Sequence, residues 1–527
     1  MPIVHKKNAP LEQKQRLSQS ILWKLQRNYF DRQGIEAWST GAVPHHITSS
    51  PFIADAYARV IFGFLRDCNS AALDDTHPVY VVELGSGPGR FAYLFLKKFL
   101  TVLRDSALAG VRVRYVMTDF AERNLEYWRA HAWLRPFVEE GSLDFARFDA
   151  ERGGELRLLN SGESLSAGGV RNPLVVISNY LFDSLPQDAF AVAEGQLFES
   201  LVTVSTPQKE PDPEDPEILS RAEISYHNNL ADADYYDVPA WNRILEDYRR
   251  RLPAASFLFP TAALKCVEYF HRLSGGRMLL LSGDRGYSGD QAILRGQGAP
   301  ALAVHGSFSM MVDYQVIGEY CRLLGGQVLH PAHRHDSLHV SAFMFGDSTA
   351  GFAETRQAYA EAVEKFGPDD FFTLKEGVAR VYESLSPEQL LAFLRLSGWD
   401  YKRFLECLPV LKKGLPEFDE PQKQGLHEAA RHVWDAYLPI GEEADLAFQI
   451  GTLLLEMEFY AEALEFLRHS ADLYGLEPGT AYNMAVSHHG LGQTKEALEC
   501  VNQALELDPE FDAARALRIK LQSAAGR

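Results

Sequence analysis

Short apolar runs, each closing on a polar residue, punctuate the first 350 positions. Val79-Tyr80-Val81-Val82 and Pro173-Leu174-Val175-Val176-Ile177 are β-branched and uninterrupted, as strands buried on both faces of a parallel sheet must be. Val111 to Met117 and Leu143 to Phe148 supply two more strands, and the run around Met278-Leu279-Leu280-Leu281 a fifth. Helical spacing separates them. Phe91, Leu94, Phe95, Phe99 and Leu100 place a broad apolar face after the first run, and Ala121 to Ala130 follows the second. Strands and helices in this alternation predict an α/β Rossmann-like domain.

Two stretches break the alternation. Residues 190–272 form an insertion between the fourth and fifth strands, with Phe198 to Val204 and Glu223 to His227 as a hairpin or small sheet. Val238 to Arg251 is a helix carrying Trp241, Ile244, Leu245 and Tyr248 on one face. Thr206 to Pro216 holds four prolines and four acidic residues, so it predicts a mobile surface loop. From residue 351 helical patterns take over. There Gly451 aligns with Ala485, Ala463-Leu464 with Ala497-Leu498 and Ser470 with Ala504, a period of 34 residues that is tetratricopeptide spacing. Gly492, Ala497, Ala504 and Pro509 stand at the small-residue and terminating positions. A weaker unit precedes them around Ala429 to Tyr437, and Arg515 to Gln522 caps the stack.

The first strand ends in Glu83-Leu84-Gly85-Ser86-Gly87-Pro88-Gly89. Glycines permit the sharp turn and let a ligand approach the backbone. A dinucleotide fingerprint needs a third glycine where Arg90 stands, and a Walker A loop needs a lysine after Gly89. Neither is present, and the acidic Glu83 suits a cofactor with an amino group and hydroxyls. S-adenosylmethionine fits. Asp119, at the carboxyl edge of the second strand, can accept both ribose hydroxyl protons, or it caps the following helix. Asp149, with Ala150 after the third strand, offers an acceptor to the adenine amino group, and Asn179 closes the fourth. The pocket is expected at this carboxyl edge.

The order resembles class I S-adenosylmethionine-dependent methyltransferases. More narrowly, NYLFDSLPQDAF (residues 179–190), GGRMLLLSGDRGYSG (residues 275–289) and MMVDYQVIGEYCRLLGG (residues 310–326) resemble the MidA family, which includes mitochondrial methyltransferases of complex I assembly. Tyr180 stands where that family usually has an acidic residue, and Arg285 where it has tyrosine. The resemblance implies methylation of a protein arginine, for which Asp183 and Asp284 are the candidate catalytic carboxylates. Asp183 also reads as a helix cap and Asp284 as a turn residue. The chain thus divides into an N-terminal extension (1–27), a methyltransferase domain (28–350), a helical domain (351–445) and tetratricopeptide repeats (446–527).

Composition narrows the partners. A formal net charge of -19 disfavours a phosphate backbone, and Asn179-Tyr180-Leu181-Phe182 lacks the prolines of the [DN]PP[YF] tetrapeptide, so no nucleic acid is expected. No apolar run approaches the ~18 residues of a membrane helix, and no signal peptide is legible, so a cytoplasmic protein is expected. Five scattered cysteines without CxxC spacing read as reduced thiols. The adjacent pairs His45-His46 and His488-His489 point apart on any regular element and make no metal site. Three functions remain open: a methyltransferase acting on a protein recruited through residues 352–527, an adaptor that binds cofactor without transferring methyl, and a small-molecule methyltransferase.

Overall fold

A computed structural model describes residues 9–69, 73–295, 298–332, 338–346 and 351–525. The chain forms two compact units, residues 1–373 and 374–527.

The first unit is built on a seven-stranded sheet. Its strands, in chain order, are Val79–Leu84, Val113–Asp119, Leu143–Arg147, Leu174–Asn179, Met278–Asp284, Gln327–Leu329 and His339–Phe345. Across the sheet they run sixth, seventh, fifth, fourth, first, second, third. The first five are mutually parallel, and the seventh is antiparallel to both its neighbours. The order therefore reverses between the first and fourth strands, the switch point outside which open α/β sheets bind ligands. All six residues of the first strand and all seven of the fifth are buried. That is why these runs are apolar without alternation.

Between the fourth and fifth strands the chain adds Asp188–Ala193, Gln196–Thr206, Glu223–Leu230 and Ala254–Phe259, which form an antiparallel sheet together with Ala9–Gln15. Gln196–Thr206 pairs with Glu223–Leu230 as a hairpin. Helix Pro239–Arg251 buries Trp241, Ile244, Leu245 and Tyr248. The acidic, proline-rich stretch after Thr206 is fastened by an ion pair, Glu210 to Arg221 at 2.7 Å.

The first unit extends beyond the last strand. Asp67, buried in helix Pro51–Asn69, accepts from the Glu354 and Thr355 amides and from the Thr355 hydroxyl. Phe64 stacks on Phe352. These contacts hold helix Ala353–Tyr359 to the α/β unit, so the division falls at residue 373 rather than at 350, where the strand pattern stops.

The second unit is helical. Ser386 and Gln389 form the capping box of Pro387–Leu396. Leu446–Glu456 pairs with Tyr460–Tyr474, and Pro478–Gly490 with Thr494–Leu507, before Asp512–Ala525. Small residues set the approach of each pair: a Cβ on Gly451 would meet Leu467 Cγ at 2.9 Å, and Ala485, Ala497 and Ala504 are fully buried. All five cysteines are free thiols. Among the described residues, no helix is long and apolar enough to cross a membrane, and no group of three His, Cys, Asp or Glu side chains is placed to hold a metal.

Candidate active site

At the switch point the chain turns through Gly85, Gly87 and Gly89, all with positive φ. Gly89 begins helix Arg90–Arg104. The turn is fastened to the second strand, Ser86 N to Thr118 O at 2.9 Å and Thr118 Oγ1 to Glu83 O at 2.7 Å. Only residues that tolerate left-handed backbone fit here. At Gly87 a side chain would also be crowded, since a Cβ would lie 3.1 Å from the Trp38 ring.

A cavity opens above this turn, lined by Glu83, Gly85, Ser86, Gly87, Asp119, Asp149, Ala150 and Asn179 together with Tyr180, Asp183 and Arg285. Gly89 lies outside the wall and shapes the start of the helix instead; a Cβ there would strike Met117 Cε at 2.8 Å. Glu83 is 4% exposed, and its Oε2 is buried with no hydrogen-bond partner. Burial pushes this carboxyl up to about 7, partly offset by Ser86 and Tyr115. Asn179 Oδ1 accepts from the Tyr57 hydroxyl at 2.7 Å, leaving Nδ2 buried without a partner. A buried donor or acceptor left unmatched costs ~1–3 kcal/mol, and both of these atoms belong to residues of the cavity wall.

The carboxylates differ in what they have left to offer. Asp119, in the cavity wall, accepts from the Ala121 amide at 3.0 Å and the Asn124 side-chain amide at 2.9 Å; it does not cap the following helix, Glu122–Ala130, whose N-cap residue is Ala121. Asp149 accepts from both terminal nitrogens of Arg27, with contacts of 2.9 and 3.3 Å. The Arg27 guanidinium also lies 4.4 Å over the Phe120 ring.

Asp183 and Asp284 part company. Asp284 is wholly buried and outside the cavity wall. It accepts from the Leu181 and Asp183 amides, the Ser282 hydroxyl and the Tyr314 hydroxyl. It ties the fourth and fifth strand ends together, and the expectation of a catalytic carboxylate there fails because its oxygens are already committed to four donors. Asp183 does face the cavity. Burial, then the neighbouring Asp284, hold its carboxyl well above the usual range. Between them Tyr180 adopts φ 47°, a left-handed conformation that is strained for a bulky residue.

Helix Ile21–Gln33 and the turn after it bring Trp23, Gln26, Arg27, Phe30 and Trp38 into the wall, although residues 1–27 read as an extension outside the domain. Trp38 stacks on Phe30, and Gln26 donates to Phe308 O at 2.6 Å. The sequence held a signal: Trp23, Gln26, Arg27 and Phe30 share one helix face, and two polar residues among aromatics are unusual for a purely packed stripe.

The tetratricopeptide repeat family matches residues 478–511. Similar solved structures include an uncharacterized protein from Burkholderia thailandensis, 14% identical, with 64% of this chain and 95% of that chain covered and a TM-score of 0.37. A likely methyltransferase from that organism, bound to S-adenosyl-homocysteine, is 15% identical over 64% of this chain and 90% of that chain, with a TM-score of 0.39. An O-methyltransferase family protein from that organism is 10% identical over 55% and 57%, with a TM-score of 0.24. No curated protein matches the chain.

Proposed function

We propose that the chain is an S-adenosylmethionine-dependent methyltransferase whose acceptor is a protein recruited through the helical repeats. The observation that carries this is the unmatched Glu83 Oε2 on the cavity wall at the switch point, beside a glycine turn. Glu83, Asp119 and Asp149 put carboxyl oxygens on the wall, which suit a ligand rich in hydroxyl and amino donors. S-adenosylmethionine is such a ligand. Asn179 Nδ2 adds an unused donor to the same wall.

When bound, this cofactor supplies an electrophilic methyl group on sulfur. The protein's contribution is alignment and exclusion of water: the turn at Gly85 to Gly87 fixes one end, Asp119 and Asp149 the other, and Trp23, Phe30 and Trp38 cover the cavity. The arginine acceptor implied by resemblance is not retained, because only one of its two carboxylates faces the cavity and Arg285 faces it as well.

Transfer from methyl-tritiated S-adenosylmethionine in a cell lysate tests the reading. Label on a discrete polypeptide supports it, and label confined to extractable metabolites makes the acceptor a small molecule. Binding without any transfer supports the adaptor.

A further inference from the structure

Arg27 belongs to helix Ile21–Gln33 and lines the cavity. The helix is fastened beside it, where Trp23 Nε1 donates to Leu17 O at 2.7 Å and Gln26 Nε2 to Phe308 O at 2.6 Å. The guanidinium closes a fork on Asp149, Nη2 to Oδ2 at 2.9 Å and Nη1 to Oδ1 at 3.3 Å, and Nη1 also lies 3.3 Å from Glu151 Oε2. The Phe120 ring, 4.4 Å away, braces the fork from one side. The donors to Asp149 divide unequally. Oδ1 takes the Glu151 and Arg152 amides at 3.0 and 3.3 Å besides Arg27 Nη1. Oδ2 takes Arg27 Nη2 alone as a hydrogen-bond donor among the described residues, with Arg152 Nε farther off at 3.8 Å. At Asp284, by contrast, each oxygen already holds two donors.

A carboxylate oxygen has room for two donors, so Oδ2 keeps one place open on a residue of the cavity wall. We infer that Arg27 is a positioning residue: its fork holds Asp149 with Oδ2 as the open acceptor, and so makes the cavity select a purine bearing an amino group over one bearing a carbonyl oxygen at the same ring position. The inference rests on the cofactor reading above. An amino N–H fills the open place, whereas a ring carbonyl sets a second acceptor against the carboxylate and leaves it unmatched. Without the fork, Asp149 is held through two amides on Oδ1 alone, and Oδ2 is free to swing out of line. Selection by the base then depends on a side chain more than one hundred residues away, on a helix outside the strand-and-helix alternation.

Two ligands supply the test, S-adenosyl-homocysteine and S-inosyl-homocysteine, which carries oxygen in place of the purine amino group. Calorimetry on the full-length protein reads the selection as a ratio of their dissociation constants within one protein. A displaced helix that weakens both ligands alike leaves that ratio unmoved. The wild type should prefer the amino ligand about tenfold or more, the effect of one hydrogen bond to a charged group. Arg27→Gln removes the fork and Arg27→Lys keeps the charge without it; each should bring the ratio below about threefold, and Asp149→Asn should do the same. These variants act on the two partners separately, so one that fails to fold leaves the others to decide. A ratio near one in a wild type that binds S-adenosyl-homocysteine overturns the inference and leaves the cofactor reading standing. The undiminished ratio in a folded Arg27 variant, or in Asp149→Asn, does so as well. No saturable binding of S-adenosyl-homocysteine by the folded wild type overturns both.

Discussion

Glu83 shows how one buried side chain ties the fold to its ligand. Its folded-state value of about 7 lies above the ordinary 4.5, so between those values the folded protein holds a proton that the unfolded chain has released. The stability from that proton is complete below about 4.5 and is lost as pH rises through about 7. The span is worth ~3 kcal/mol at 1.36 kcal/mol per unit. Urea unfolding at a series of pH values should show a steeper decline for the wild type than for Glu83→Gln across this window. Other raised carboxyls, Asp183 and Asp313 among them, are common to both proteins and cancel in the difference. Parallel curves would show that Glu83 does not titrate there. Gly87→Val belongs to the same scale. Its φ of 51° strains a β-branched side chain and the Trp38 ring at 3.1 Å crowds it, so cofactor binding should fall at least a hundredfold while far-ultraviolet circular dichroism shows the fold retained. Normal binding by the folded variant would place the pocket elsewhere.

At the scale of elements, the buried strands were legible because parallel pairing on both faces demands uninterrupted apolar runs, and the repeats because stacking demands small residues at a fixed interval. What stayed hidden were long-range partnerships. Nothing in the local pattern of Pro51–Asn69 says that Asp67 caps a helix nearly three hundred residues on, nor that four donors converge on Asp284 from strand ends and a distant helix. Carboxylates at strand ends advertise a site and a structural knot alike; only the count of donors separates them. Asp67→Ala should remove about 1–2 kcal/mol, as loss of a helix cap does, and lower the thermal midpoint of the full chain. An unchanged midpoint would show that the Phe64–Phe352 stack alone holds that helix.

For the whole molecule, the separation after Thr373 makes a prediction about fragments. Residues 1–373 should fold and bind S-adenosyl-homocysteine with the affinity of the full chain. A cut at 350 removes Phe352 and both amides that Asp67 receives, so that fragment should melt at lower temperature. Equal melting of the two fragments would return the boundary to the end of the strand pattern. The central claim is a cofactor site built on Glu83, and isothermal calorimetry with S-adenosyl-homocysteine on the full-length protein addresses it most directly. One saturable site of micromolar or tighter affinity, lost in Gly87→Val, is the predicted result. Absence of heat from a well-folded protein, or a site indifferent to Gly87, would contradict it.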